Sequence, residues 1–391
     1  MPRVGEAERL KDIAFSGIRK VFEKIGELES KGQSVINLCI GRPDFDTPAH
    51  IKEGAIRALR EGQVHYTSNS GLLELREAIA SRLSADFGIE PDPGSEIMVT
   101  AGTTEAVFLG MTAYLNPGDE VIVPTPAWPV YEACARLAGA RPVPVILKES
   151  NSFSLSVEDI EEQITSKTKM IVINTPQNPT GCVTEAETLE AVIELAAEKG
   201  ILILSDEIYS RLVYGDTTTY TAALDKGWEN TITVDGLSKS YSMTGWRLGF
   251  VMAPEELIGP MLKIHQNTAV CATSFAQYGG IEALTSDQGC VTEMRDEFDS
   301  RRKLLIEGLN SLPGVECVPP LGAFYAFPSI KGLKMSSEEA SDLFLELGVG
   351  VVPGTAFGPG GEGYLRVAYS NSYQNIERAI ALLKEGLSKR V

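Results

Sequence analysis

Between about residues 95 and 255 the chain repeats one pattern: a short apolar run, a few small or polar residues, then a stretch with helical spacing. The apolar runs are "EIMVTAG", "EVIVPTP", "RPVPVI", "KMIVINTP", "GILILSDE", "TITVDG" and "RLGFVMAP". A strand that is apolar on both faces needs cover on both, and the intervening helices supply it. The pattern therefore predicts an α/β fold whose large domain holds a mostly parallel seven-stranded sheet covered by helices.

The flanks read differently. Leu10, Ile13, Ile18, Val21, Phe22, Ile25 and Leu28 predict an amphipathic helix over residues 8–30. "SVINLCIG" reads as a strand, and "DTPAHIKEGAIRALREG" as a helix with Thr47 as cap and Pro48 at its first position. After about residue 255 the chain is mainly helical as far as Leu312, and the remainder mixes short strands with two helices. At 391 residues the chain exceeds the usual size of one core. The expected division is a segment 1–48 joining a smaller α+β domain, a large domain 49–285 and the small domain 286–391.

Charge and composition narrow the partners. A net charge of −18, from 35 basic and 53 acidic residues, repels phosphate backbones and anionic lipid, and there is no dense basic run. Nucleic acid and membrane surfaces are poor partners for such a chain. The six cysteines and three histidines are scattered without metal-ligand spacing, so no metal is expected. The opening "MPRVGEAERLKDIAF" carries acidic residues and no continuous apolar stretch, which argues against a secretory signal and for the reduced cytoplasm.

In an open parallel sheet, ligands bind beyond the carboxyl ends of the strands, so polar residues at those ends carry the most weight. Gly102, Thr103 and Thr104 follow the first strand and open a helix at about Glu105, which makes either a phosphate cradle or a threonine-capped helix. Asn174 ends another strand, and "NPTG" then holds Asn178 in a rigid loop, or is simply a structural turn. Asp206 and Glu207 end "ILILSDE", where a carboxylate needs a partner or a salt bridge, and Tyr209 lies three residues on. Lys239 follows the next strand between Ser238 and Ser240, in a turn flanked by Gly236 and Gly245. Most lysines are solvated, but Arg247 eight residues later would favour a free amine here, and a free amine is a nucleophile toward an aldehyde. Arg366 sits inside the apolar strand "YLRVAY", where a guanidinium calls for a planar carboxylate from protein or ligand.

Read together, these residues resemble the pyridoxal-phosphate-dependent aminotransferases of fold type I, class I/II, most closely the prokaryotic aspartate aminotransferases. The likeness runs from "INLCIGRPDFDTP" through "HYTSNSGLLELREAIA", "GTTEA", "PAWPVY", "NTPQNPTG", "SDEIY" and "LSKSYSMTGWRLG" to "YLRVAYS". It implies pyridoxal 5′-phosphate as cofactor, bound by the large domain. Lys239 matches the lysine joined to the cofactor's aldehyde, which later carries the proton at the substrate's α carbon. Asp206 matches the carboxylate at the ring nitrogen, and Asn178 and Tyr209 the pair at the ring's phenolic oxygen. Trp128 matches the aromatic stacked on the ring, which is otherwise a core tryptophan. Gly102, Thr103, Thr104, Ser238 and Arg247 match the phosphate site, and Tyr66 matches a phosphate contact reaching across from a second subunit, implying a homodimer with shared sites. Arg366, with the backbone of Gly41, matches the clamp on the substrate's α-carboxylate, beside Trp128 and Asn178.

The implied reaction moves an amino group from an L-amino acid, aspartate being the expected donor, to a 2-oxo acid such as 2-oxoglutarate. The alternatives are an aromatic, alanine or broad-specificity aminotransferase, or a lyase or synthase of the same fold. A regulator using the fold as a sensor would need a DNA-binding domain, for which the roughly 35 residues before the first strand are too few. One departure bears on the donor: Thr104 stands where some relatives carry a lysine that reads the distal carboxylate, leaving Arg42 or Arg19 as substitutes. "GPGGEG" at 358–363 resembles a dinucleotide loop but precedes a strand, so it is read as a plain loop.

Overall fold

A computed structural model of the chain describes residues 5–15, 17–215, 220–225 and 229–389. Its strands are β1 (Ile36–Asn37), β2 (Ile97–Thr100), β3 (Glu120–Thr125), β4 (Arg141–Ile146), β5 (Thr168–Asn174), β6 (Leu202–Asp206), β7 (Thr231–Gly236), β8 (Gly249–Met252), β9 (Tyr325–Ala326), β10 (Val349–Gly350), β11 (Val352–Pro353) and β12 (Leu365–Ala368). Strands β2 to β8 correspond to the seven apolar runs and form one sheet in the order β2-β8-β7-β6-β5-β3-β4. All its pairings are parallel except the two made by β8.

Successive residues of the inner strands face opposite layers, and both layers are apolar. Val121, Val123, Val172, Leu204 and Val251 pack into one core with the helix Thr103–Tyr114. Ile122, Ile171, Ile173 and Ile203 pack into the other with the helix Ala186–Lys199. β4 is the exception, alternating between exposed and buried residues. It lies at the sheet edge, where Pro142 and Pro144 cost few ladder hydrogen bonds.

The sheet has a switch point. From β3 the chain goes outward to β4, then returns to lay β5 against the other side of β3. The loops after β3 and β5 therefore diverge and leave a crevice at the carboxyl edge.

Beyond the large sheet, β11-β12-β9 form an antiparallel sheet and β1 pairs in parallel with β10. The helices Gly289–Asn310, Ser337–Glu346 and Tyr373–Ser388 cover them, enclosing Phe298, Leu305, Phe324, Phe344, Val367 and Leu383. The helix Ser337–Glu346 opens with a capping box: Ser336 accepts from the Glu339 N–H, and Glu339 in turn accepts from Ser336.

Four local expectations need correction. The opening helix is Gly17–Ser30, preceded by one 3-10 turn at Glu8–Leu10, and residue 16, inside the expected span, lies outside the described residues. The physical reason is in the spacing: the three-and-four rhythm is unbroken only from Ile18, with a gap of five back to Ile13. "SVINLCIG" pairs over only two residues, Ile36 and Asn37. Thr47 is not a cap, since its hydroxyl donates to Ser242 O and accepts from Trp246 Nε1, and Pro48 takes the cap position ahead of Ala49. Finally, the helix after Gly102 begins at Thr103 rather than Glu105, so both threonines lie in its first turn.

Candidate active site

Five loops meet over the crevice. Asn174 is the last residue of β5 and Asp206 the last of β6. Lys239 lies three residues past the end of β7, Thr103 begins the helix after β2, and Arg366 enters from β12 of the smaller sheet. Between them lies a cavity of about 210 Å³, lined by Gly41, Thr103, Thr104, Trp128, Asn178, Asp206, Tyr209, Ser238, Lys239, Arg247 and Arg366 among others. Eleven of the thirteen site residues singled out in the sequence are thus brought together. Gly102 stands just behind the wall, and Tyr66 is 84% exposed and away from this cavity.

At one end the site suits an anion. Of the first-turn N–H groups of the helix Thr103–Tyr114, that of Glu105 bonds Gly102 O, while those of Thr103 and Thr104 have no backbone acceptor, and the side chains of Thr103, Thr104 and Ser238 line the cavity with them. Arg247 crosses this turn, its Nη1 donating to Thr244 O, and a methyl group on Gly102 would collide with its guanidinium. Gly102 also has φ of 86°, a conformation open to glycine and strained for other residues. The threonine-cap reading is not realised, because neither threonine makes a side-chain cap bond here.

At the floor lies Asp206, 1% exposed and hydrogen-bonded by Tyr131 Oη at 2.8 Å and by the Ile208 N–H at 3.2 Å. Burial raises its pKa to about 6, against the opposing effects of Tyr131, Ile208 and Lys239. Lys239 Nζ donates to Gly41 O at 2.7 Å and lies 5.9 Å from the centre of the Tyr209 ring. Its pKa falls to about 8, chiefly through enclosure, then through Arg366. Arg247, the cation to which the sequence pointed, adds the least of these effects.

Arg366 is 2% exposed, with Nη2 on Cys39 O at 2.6 Å and Nη1 on Asn178 Oδ1 at 3.2 Å. Its buried Nε has no partner. A guanidinium with donors to spare beside an open cavity is suited to a planar carboxylate. Asn178 is itself held from behind, its N–H on Asn174 Oδ1 while Asn174 Nδ2 donates to Asp206 O. Because Arg366 occupies the Asn178 carbonyl, that amide presents its NH2 to the cavity.

Several residues here escaped the sequence reading. Tyr131, Tyr325, Ile18 and Phe22 all line the cavity. Tyr131 carried a usable signal, since it falls in the first turn after Trp128 on the switch-point loop. Tyr325 carried none, because it lies in an apolar strand 116 residues from Tyr209, to which it bonds. Neither proposed substitute for a lysine at position 104 lines the cavity: Arg19 pairs with Glu23 on the surface, and Arg42 is exposed.

The family described as Aminotransferase class I and II matches residues 33–383. An aspartate aminotransferase of Pyrococcus abyssi is 45% identical over 98% of both chains, and an aromatic-amino-acid aminotransferase of Thermococcus litoralis is 42% identical over 98% of both. Among solved structures, an aspartate aminotransferase of Thermus thermophilus with maleate superposes with a TM-score of 0.94 at 36% identity, covering 98% of this chain and 100% of that one. The chain therefore belongs to the class I and II aminotransferases, close to their aspartate aminotransferases, and is a transaminase.

Proposed function

We propose that the chain is a pyridoxal-phosphate-dependent transaminase whose donor is L-aspartate and whose acceptor is a 2-oxo acid such as 2-oxoglutarate. The observation that carries this reading is the convergence of an amine of lowered pKa, a buried carboxylate and an unfilled guanidinium on one cavity, beside an anion cradle. The donor set fits the cofactor. Thr103, Thr104, Ser238, Arg247 and the helix N-terminus at Gly102 would hold the phosphate, Asp206 the ring nitrogen, Asn178 and Tyr209 the phenolic oxygen, and Trp128 the ring face. When bound, pyridoxal phosphate supplies an electron-withdrawing ring that stabilises negative charge at the substrate's α carbon.

The chain's own residues do the rest. Arg366 orients the substrate through its carboxylate, next to the backbone of Gly41. Lys239, with much of its amine unprotonated near pH 8, moves a proton to and from the α carbon. Asp206 holds a proton at the ring nitrogen by remaining anionic, which its two hydrogen bonds favour and its burial opposes. The unpaired state of all six cysteines supports a reducing, cytoplasmic setting. No helix among the described residues is long and apolar enough to cross a membrane.

Exposed Tyr66 supports a homodimer in which each subunit lends this side chain to the other's phosphate site. The two sheet systems support the division into a segment 1–48, a large domain 49–285 and a small domain 286–391.

One observation favours a second reading of the donor. Ile18 and Phe22 line the cavity, and the basic residues among its described lining are Lys239, Arg247 and Arg366, each already committed. An aromatic or other apolar donor side chain would lie well against that wall. A panel of amino acids with 2-oxoglutarate tests the choice. Aspartate turned over fastest upholds the first reading; phenylalanine or alanine far ahead of aspartate replaces it with the second.

A further inference from the structure

Tyr325 is a buried phenol in β9, 1% exposed, whose hydroxyl lies 2.9 Å from that of Tyr209. Its ring face carries Arg366, with the guanidinium carbon 4.6 Å from the ring centre. Room for it comes from Gly41, since a methyl group there would overlap Tyr325 Oη. Tyr325 therefore touches, from the smaller sheet, two residues to which the proposed function gives separate duties.

A phenol has one proton to donate. The distance between Tyr209 and Tyr325 allows either to be the donor, but only one proton fits between two oxygens. If Tyr209 donates toward the cofactor's phenolic oxygen, the proton between the phenols belongs to Tyr325. Electrostatics favour that direction. Burial raises Tyr209 well above the ordinary phenol range, whereas for Tyr325 burial is opposed first by the adjacent Arg366 cation, and the more acidic phenol is the better donor.

We propose that Tyr325 is a positioning residue: its hydroxyl donates to Tyr209 and so commits the Tyr209 proton to the cofactor, while its ring holds Arg366 at the substrate carboxylate. The inference rests on the function proposed above. It adds a link between the cofactor-facing Tyr209 and the substrate-facing Arg366, carried by one side chain. The link also spans the two sheet systems, because Tyr209 follows β6 and Tyr325 belongs to β9.

The test uses the holoenzyme and the visible absorbance of its bound cofactor as a function of pH. Tyr325→Phe keeps the ring and removes only the hydroxyl. Loss of a well-directed donor makes the cofactor's phenolic oxygen more basic, so the titration moves to higher pH, in the direction given by Tyr209→Phe and by a smaller amount. In a Tyr209→Phe background the same change produces no further shift, because Tyr325 acts through Tyr209. Tyr325→Leu also removes the platform, and KM for the donor rises a further roughly five- to thirty-fold, the worth of a cation–π contact of roughly 1–2 kcal/mol. A wild-type titration in Tyr325→Phe, or equal shifts in both backgrounds, overturns the proposal. Lys239→Ala separates the two levels: if it forms no covalent link to the cofactor while Tyr325→Phe titrates as wild type, the proposed function stands and this inference falls. If Lys239→Ala turns over like wild type, the function falls and takes the inference with it.

Discussion

At the scale of single residues, the site is built from groups that are costly without a ligand. Asp206 is held at a raised pKa, Lys239 at a lowered one, and Arg366 keeps an unpartnered Nε in the interior. Such penalties persist where function requires them. For Lys239 the cost can be measured. Its amine titrates near 10.5 in the unfolded chain and near 8 in the folded one, so between those values the unfolded chain binds more protons, and stability must rise with pH across that window. Below pH 8 the penalty is present in full and is on the order of 3–4 kcal/mol, at about 1.4 kcal/mol per pKa unit. Chemical denaturation of the cofactor-free protein should show wild type gaining on Lys239→Met from pH 8 to 10.5, with Lys239→Met the more stable below pH 8. A constant difference across that range would mean that the lysine is not desolvated as described.

At the scale of elements, what the sequence revealed followed from periodicity, and what it hid followed from distance. Seven strands were legible because their residues are apolar in succession, and the polar residues that end β5 and β6 stood out against that background. Among the candidate site residues, Thr103, Thr104, Asp206 and Lys239 stood out in the same way, as small or charged positions at strand ends, whereas Trp128, Gly41 and Tyr66 entered only through the family resemblance. Tyr325 was not, because a tyrosine in a buried strand looks like core until its partner is known. Element ends were misread where a tertiary bond displaced a local one: Thr47, a suitable cap by type, spends its hydroxyl on Ser242 and Trp246. Ser336 is the counterexample, a local capping box that forms as its sequence dictates. Ser336→Ala should cost about 1 kcal/mol in urea denaturation and leave cofactor affinity unchanged, since the helix Ser337–Glu346 packs away from the cavity. A loss of cofactor affinity in that variant would mean that the helix end communicates with the site.

At the scale of the whole molecule, the cavity takes Asp206, Lys239 and the turn at Thr103 from the large sheet and Arg366 from the smaller one, so on the proposed roles cofactor and substrate would be gripped by different layers. Tyr66 suggests that a second copy contributes as well. Co-expressed Tyr66→Ala and Lys239→Ala chains should then recover activity, because a mixed dimer places both defects in one site and leaves the other whole. Statistical pairing gives roughly a quarter of wild-type activity. Activity no greater than the sum of the two separate variants would rule out shared sites. All of this depends on one bond, between Lys239 and the aldehyde of the cofactor. Borohydride reduction of the loaded protein followed by peptide mapping tests it directly: the account predicts a single pyridoxyl label on the peptide containing Lys239. Loaded protein that carries no label there, or carries it on another lysine, would contradict it.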